Sequence, residues 1–183
     1  RELAKVRIES PDTAALNIFY TGMYHAFLQP NLFNDCNKDY RGTDKKEYTG
    51  ADFDNYTVFS LWDTYRAAHP LYTILQPERV PDFIRSMLAI YEQQGLLPVW
   101  HLYGSDTKEM IGIQSVPVIA DAILKGVPGF DYEKAFEAMK SSMLSNYKGL
   151  EYLKEGNYIP ADREKESVAK GLEYAIADWG VAQ

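Results

Sequence analysis

Apolar residues recur at spacings of three and four along most of the chain, the period of a helix with one buried face, and long strand-like alternation is absent. The pattern predicts six helices. The first runs from about Asp12 to Leu28, with Ser10 as cap and Pro11 in the first turn, and its buried stripe is Leu16, Phe19, Met23 and Phe27. The second spans Val58 to Leu75, where Pro70 must shorten or kink it. The third covers Pro81 to Gln94 and stops at Gly95. The fourth runs from Met110 to Lys125, and the fifth from Asp131 to Leu144 with Phe130 and Phe136 in reach of its core. The last begins at Asp162 and continues to the chain end, with Val168, Leu172, Ala175 and Trp179 marking its apolar face.

The connections alternate in length. Gln29–Tyr56, Leu96–Glu109 and Ser145–Ala161 are long and polar, whereas Gln76–Val80 and Gly126–Gly129 are short. If successive helices are antiparallel, every long connection falls at the same end, where a rigid scaffold commonly builds its binding sites. An all-α fold, part of an (α/α)6 toroid of antiparallel helical hairpins, fits this better than a plain up-down bundle. Six helices are half of such a toroid, so the chain 1–183 is expected to be one incomplete domain. The half toroid should expose a broad apolar edge, covered by further polypeptide.

Composition narrows the function by exclusion. A net charge of −7 with no basic run longer than Lys45-Lys46 argues against nucleic acid as partner. The single cysteine, Cys36, rules out an internal disulfide and a cysteine-built zinc site, and its polar surroundings mark an incidental thiol rather than a nucleophile. No apolar run reaches the 18 residues or so that a membrane span needs. The opening Arg1-Glu2-Leu3 carries no signal peptide, so the chain reads as mature, trimmed or excerpted. Fourteen tyrosines suit a carbohydrate or a peptide surface equally.

Phosphate loops, zinc helices and nucleophile elbows are absent from the sequence, and His25, His69 and His101 have no metal-ligand spacing. His25 and His69 fall within helices, as satisfied or surface histidines. The stretch Phe59 to Arg66 follows the longest connection. Its Trp62-Asp63 pair is either an indole that stacks on a sugar with a carboxylate that accepts from hydroxyls, or a buried aromatic beside an ordinary first-turn acid. Trp100 to Asp106 crosses the second long connection, and His101 and Asp106 there are either ligand contacts or parts of a loop packed on itself. Glu166, near the start of the last helix, is a third candidate, with helix capping as its alternative. Glycoside hydrolysis needs two carboxylates, and no pair in the chain can be given acid and base roles from spacing.

Several segments, in order, resemble glycoside hydrolase family 92. They are Tyr20 to His25 with Pro30-Asn31-Leu32-Phe33, Phe59 to Arg66 with His69-Pro70, Gln76-Pro77-Glu78-Arg79, Leu97-Pro98-Val99-Trp100, Met110-Ile111-Gly112, Ser115 to Ala122, Tyr158-Ile159-Pro160-Ala161-Asp162, Glu166-Ser167-Val168 and Leu172-Glu173-Tyr174. The resemblance implies a secreted, periplasmic or surface-attached bacterial exo-α-mannosidase. Such an enzyme has a β-sandwich ahead of an (α/α)6 barrel, inverts configuration, uses calcium and acts on mannose-containing glycans, with α-1,2 linkages expected. It also implies that the catalytic acid and base lie beyond Gln183, so this chain contributes no catalytic residue and alone would be inactive. The rest of the parent polypeptide is then its partner, and the calcium ligands lie mostly outside the chain. Asp63 matches an acidic residue expected to hydrogen-bond mannose hydroxyls, with Trp62 supporting it and His101, Asp106 and Glu166 as further substrate contacts. The chain departs from the usual family pattern at Trp100-His101-Leu102, at Gly104-Ser105-Asp106-Thr107 and at Gln114, where a histidine is common. These changes bear on leaving-group specificity. A catalytically silent carbohydrate-binding or scaffolding module is the rival reading.

Overall fold

The computed structural model describes residues 2–183. After a short 3-10 turn at Glu2–Lys5 come eight helices: α1 (Thr13–Ala26), α2 (Leu61–Thr64), α3 (Ala68–Leu75), α4 (Val80–Gln94), α5 (Ser115–Leu124), α6 (Tyr132–Met143), α7 (Leu150–Gly156) and α8 (Ser167–Ala182). The fold is helix-rich, as the apolar period predicts, but three antiparallel pairs of two-residue strands hold the long connections. β1 (Asn31–Leu32) pairs with β4 (Tyr56–Thr57), β2 (Tyr40–Arg41) with β3 (Glu47–Tyr48), and β5 (Phe59–Ser60) with β6 (Trp100–His101).

α4 forms where the sequence predicts it. Pro81 occupies the first turn without loss of a helical bond, and Gly95 closes the helix in the left-handed conformation that a side chain would resist. Its inner face (Phe83, Ile84, Met87, Leu88 and Ile90) is buried, each side chain contributing about 2 kcal/mol from apolar burial. Ile113, Val116 and Ile119 around α5 and Tyr174 and Ala177 of α8 complete the same core. α8 approaches α5 closely because Gly180 has no side chain: a Cβ there would lie 3.1 Å from the Ala120 methyl.

Four helix starts differ from the pattern. α1 is capped by Asp12, whose carboxylate accepts from the Ala14 and Ala15 amides, and not by Ser10. The predicted Val58–Leu75 helix breaks in two, because Phe59–Ser60 pairs with Trp100–His101 and the chain leaves helical geometry at Ala67. Pro70 therefore lies in the first turn of α3, where its ring meets no preceding turn. α5 begins at Ser115 rather than Met110, since Met110 and Gly112 both have positive φ, and α8 begins at Ser167 because Glu166 does too. Part of the expected Ser145–Ala161 connection is helix α7.

The apolar face of α8 is the reverse of expectation. Val168, Leu172 and Trp179 are exposed (77%, 66% and 60%), whereas Lys170, Glu173, Tyr174, Ala177 and Gly180 face inward. The inward face meets α5 and α6; Val168, Leu172 and Trp179, with the exposed Ala175, lie on the other side of the helix. Phe136 is likewise exposed, while Phe130 packs against the core. On α1 the predicted stripe is correctly oriented, but only Met23 is fully buried.

Candidate functional site

The three long connections meet one another. Thr43 Oγ1 lies 3.2 Å from His101 Nε2 and Lys45 Nζ donates to the Gly104 carbonyl, joining the first to the second. Lys148 Nζ donates to the Lys108 and Met110 carbonyls, joining the third to the second. The start of α2 lies beside this web, since β5 leads directly into it and pairs with β6.

Asp63 stands on α2, exposed, one turn after that strand. Ser60 Oγ donates to its Oδ2 at 2.5 Å, and Oδ1 takes no hydrogen bond from the described residues. Trp62 is half-buried, with the Arg66 guanidinium 5.0 Å from its ring centroid and 4.7 Å from that of Tyr65. The indole Nε1 is buried without a partner. This turn therefore presents an open carboxylate beside an aromatic platform, the combination that suits sugar hydroxyls and a sugar face.

Asp106 is held quite differently. Its oxygens accept from the Val99, Trp100 and Lys108 amides at 2.9, 3.0 and 3.0 Å and from Gln94 Nε2 at 3.1 Å. The carboxylate thus staples its own loop. His101 is buried, with Thr57 Oγ1 3.1 Å from Nδ1 and Thr43 Oγ1 at Nε2. The Thr57 hydroxyl also accepts from the Tyr103 amide at 2.7 Å, so one hydroxyl ties the imidazole to the loop backbone. Burial depresses the His101 pKa to about 4, so the ring is neutral at pH 7. Glu166 is exposed, in the left-handed region just before α8, and its side chain makes no capping bond. Glu164, not Glu166, pairs with the buried Lys170. The structure therefore brings His101 and Asp106 together within one loop, sets Trp62 and Asp63 beside it, and leaves Glu166 on its own.

His69, the histidine of α3, is buried among Phe59, Tyr72 and Phe83, and desolvation lowers its pKa to about 4; His25 is exposed. A cavity of about 710 Å3 lies against α4 between Tyr40, Phe53, Arg85, Phe130 and Lys134, and none of the five candidate residues lines it. Among the described residues, no group of three or more His, Cys, Asp or Glu side chains could hold a metal ion, and no helix is long and apolar enough to cross a membrane.

The family model described as the glycosyl hydrolase family 92 catalytic domain matches residues 1–183. The chain belongs to glycoside hydrolase family 92. A solved relative, the family GH92 α-mannosidase BT3965 from Bacteroides thetaiotaomicron, is 47% identical over 99% of the chain with a TM-score of 0.96. Its complex with mannoimidazole aligns equally well. The inverting family GH92 mannosidase BT2199 from the same species is 34% identical over 99% of the chain, with a TM-score of 0.90. The chain spans about a quarter of the length of these family 92 structures, 25% and 26% respectively. No curated protein matches the sequence.

One polar centre of this family 92 chain has no counterpart among the sequence-predicted residues. Glu173, on α8, accepts from Tyr65 Oη and Arg66 Nη2, both at 3.1 Å, and from Gln114 Nε2 at 2.6 Å. A glutamate within a helix reads as a solvated face. The signal that could have found it is its place in Leu172-Glu173-Tyr174, beside the fully buried Tyr174.

Proposed function

We propose that the chain is the N-terminal portion of an (α/α)6 catalytic domain in a secreted or surface-attached exo-α-mannosidase, and that it forms one wall of the pocket for the terminal mannose. The observation that carries the proposal is the open carboxylate of Asp63 beside Trp62, in a chain 47% identical to a solved family GH92 α-mannosidase. Asp63 accepts hydrogen bonds from mannose hydroxyls through the oxygen that Ser60 leaves free, and the Trp62 indole limits how the sugar ring can lie. The reaction is hydrolysis with inversion, for which one carboxyl group protonates the leaving oxygen and a second activates water. Both belong to polypeptide outside residues 1–183, and so do most of the ligands for calcium. The described residues assemble no group of three or more His, Cys, Asp or Glu side chains that could hold the cation.

His101 and Asp106 then act on specificity by shaping the loop that carries Trp100 and Tyr103, and Glu166 is a further substrate contact. α-1,2-linked mannosides are the expected substrates. The test is mannose release from α-linked mannobiosides by the full-length protein, with and without a calcium chelator. Release that stops with chelator and returns with calcium supports the proposal. No release on any linkage from folded, calcium-loaded protein would overturn it in favour of a silent binding module.

A further inference from the structure

The turn that presents Asp63 is short and carries little structure of its own. α2 has four residues, its N-cap Ser60 makes no capping bond to the backbone, and Asp63 itself is exposed. A segment of this size has too few internal hydrogen bonds to hold one conformation unaided. Ahead of Trp62 the β5–β6 pair and the buried Leu61 hold the chain, and behind Asp63 the anchor is remote in sequence. Tyr65 and Arg66, immediately after the turn, both donate to Glu173 of α8, more than a hundred residues later. Gln114, at the start of α5, supplies the third donor to the same carboxylate.

The centre is built to close tolerances. Gly112 has a φ of +79°, and a Cβ there would lie 2.4 Å from Gln114 Nε2 and 3.2 Å from the Glu173 Cβ, so the backbone passes over the pair only because no side chain intervenes. Burial, and then the neighbouring Glu173 carboxylate, raise the Tyr65 phenol above its ordinary pKa, so it remains a donor. Arg66 pairs with Glu173 at one end while its guanidinium plane covers the Trp62 and Tyr65 rings. The C-terminal side of the Trp62-Asp63 turn is thus tied to a carboxylate that forms no hydrogen bond with either residue. We propose that Glu173 is a positioning residue for the Trp62-Asp63 turn, acting through Arg66 and Tyr65 and sharing the load with Gln114. The functional half of this proposal rests on Asp63 being the sugar-facing group.

The experiment uses the full-length protein with Glu173→Gln, which keeps size but removes the charge that three donors share. Arg66→Ala, at a half-exposed side chain, serves as a second variant that leaves the Glu173 carboxylate in place. Hydrogen exchange of the amides from 61 to 67 should quicken about tenfold in both, the scale of a lost charge-assisted hydrogen bond, with α4 protection unchanged. On α-linked mannobiosides kcat should fall on the order of 100-fold, as expected when a binding group is displaced by about 1 Å, and Gln114→Ala should give a smaller loss. Unchanged exchange at 61–67 in both variants would overturn the positioning role, whatever the activity. Faster exchange with wild-type kcat and KM on an active enzyme would overturn its link to Asp63. If the wild-type protein releases no mannose, the function proposed above fails, and the exchange result alone decides the positioning.

Discussion

Two aromatic and acidic stretches look alike in sequence and behave oppositely in the fold. Trp62-Asp63 follows one long polar connection and Trp100 to Asp106 lies within another, and both place a tryptophan near an aspartate. In the loop, four N–H groups converge on Asp106 and leave it nothing to offer a ligand. On the turn, a single hydroxyl reaches Asp63 and one oxygen stays free. The number of unpaired donors nearby, and not the residue type, decides whether a carboxylate becomes a staple or a recognition group.

The contrast predicts that the two aspartates fail in different currencies. On the proposed activity, Asp63→Ala in the full-length protein should lower kcat/KM on the order of 1000-fold, the loss expected when a site built for hydroxyl groups loses its acceptor. Stability should change by no more than about 0.5 kcal/mol. Mannoside kinetics with a urea titration check both; near-wild-type turnover with an intact fold would remove Asp63 from the site. The next effect belongs to His101. Its folded pKa of about 4 lies below the ordinary 6.5, so the unfolded chain takes up the proton first. The stability it contributes is complete above about pH 6.5 and is lost as the pH falls to about 4, a change of up to about 3 kcal/mol. His69 titrates in the same window, so the slope of urea midpoint against pH should roughly halve in His101→Asn.

Asp106→Ala should cost about 2 kcal/mol by leaving partly buried amides of the loop without an acceptor. Its effect on turnover should come through KM for the leaving group more than through kcat. If Asp106→Ala instead abolished turnover with the melting temperature unchanged, the two regions would not differ in the way described. The smallest effect is expected at Glu166, which sits at φ 57°. Glu166→Gly should gain about 0.5 kcal/mol by relieving the left-handed backbone. A rise in KM for longer mannosides in the same variant would sharpen the outer limit of the site.

Helix periods were readable where packing is local. α4 and α6 lie within a residue or two of their predicted bounds, because Gly95 and Asp131 mark their ends chemically. The starts of α5 and α8 were not readable, because Met110 and Glu166 adopt positive φ for reasons that no propensity of Met or Glu supplies. The α8 face was misassigned because an apolar stripe shows that a surface needs cover without showing which neighbour supplies it. Among the candidate residues, position and resemblance singled out Trp62 and Asp63, which the structure sets on one short turn. The same signals missed Glu173, since the three donors that make it a buried hub come from positions 65, 66 and 114.

The outward face of α8 sets a problem of timing. Val168, Leu172, Ile176 and Trp179 are among the larger apolar side chains of the helix, and all point away from the core that the helix helps to close. A nascent chain lengthens at about 5–20 residues per second, far slower than a helix of this size forms. α8 can therefore settle onto α5 and α6 while its other side is still bare. Translation rate then governs how long that apolar strip is open to chaperones or to other nascent chains. Synonymous changes that slow elongation as this helix emerges should raise the insoluble fraction without altering one residue of the protein.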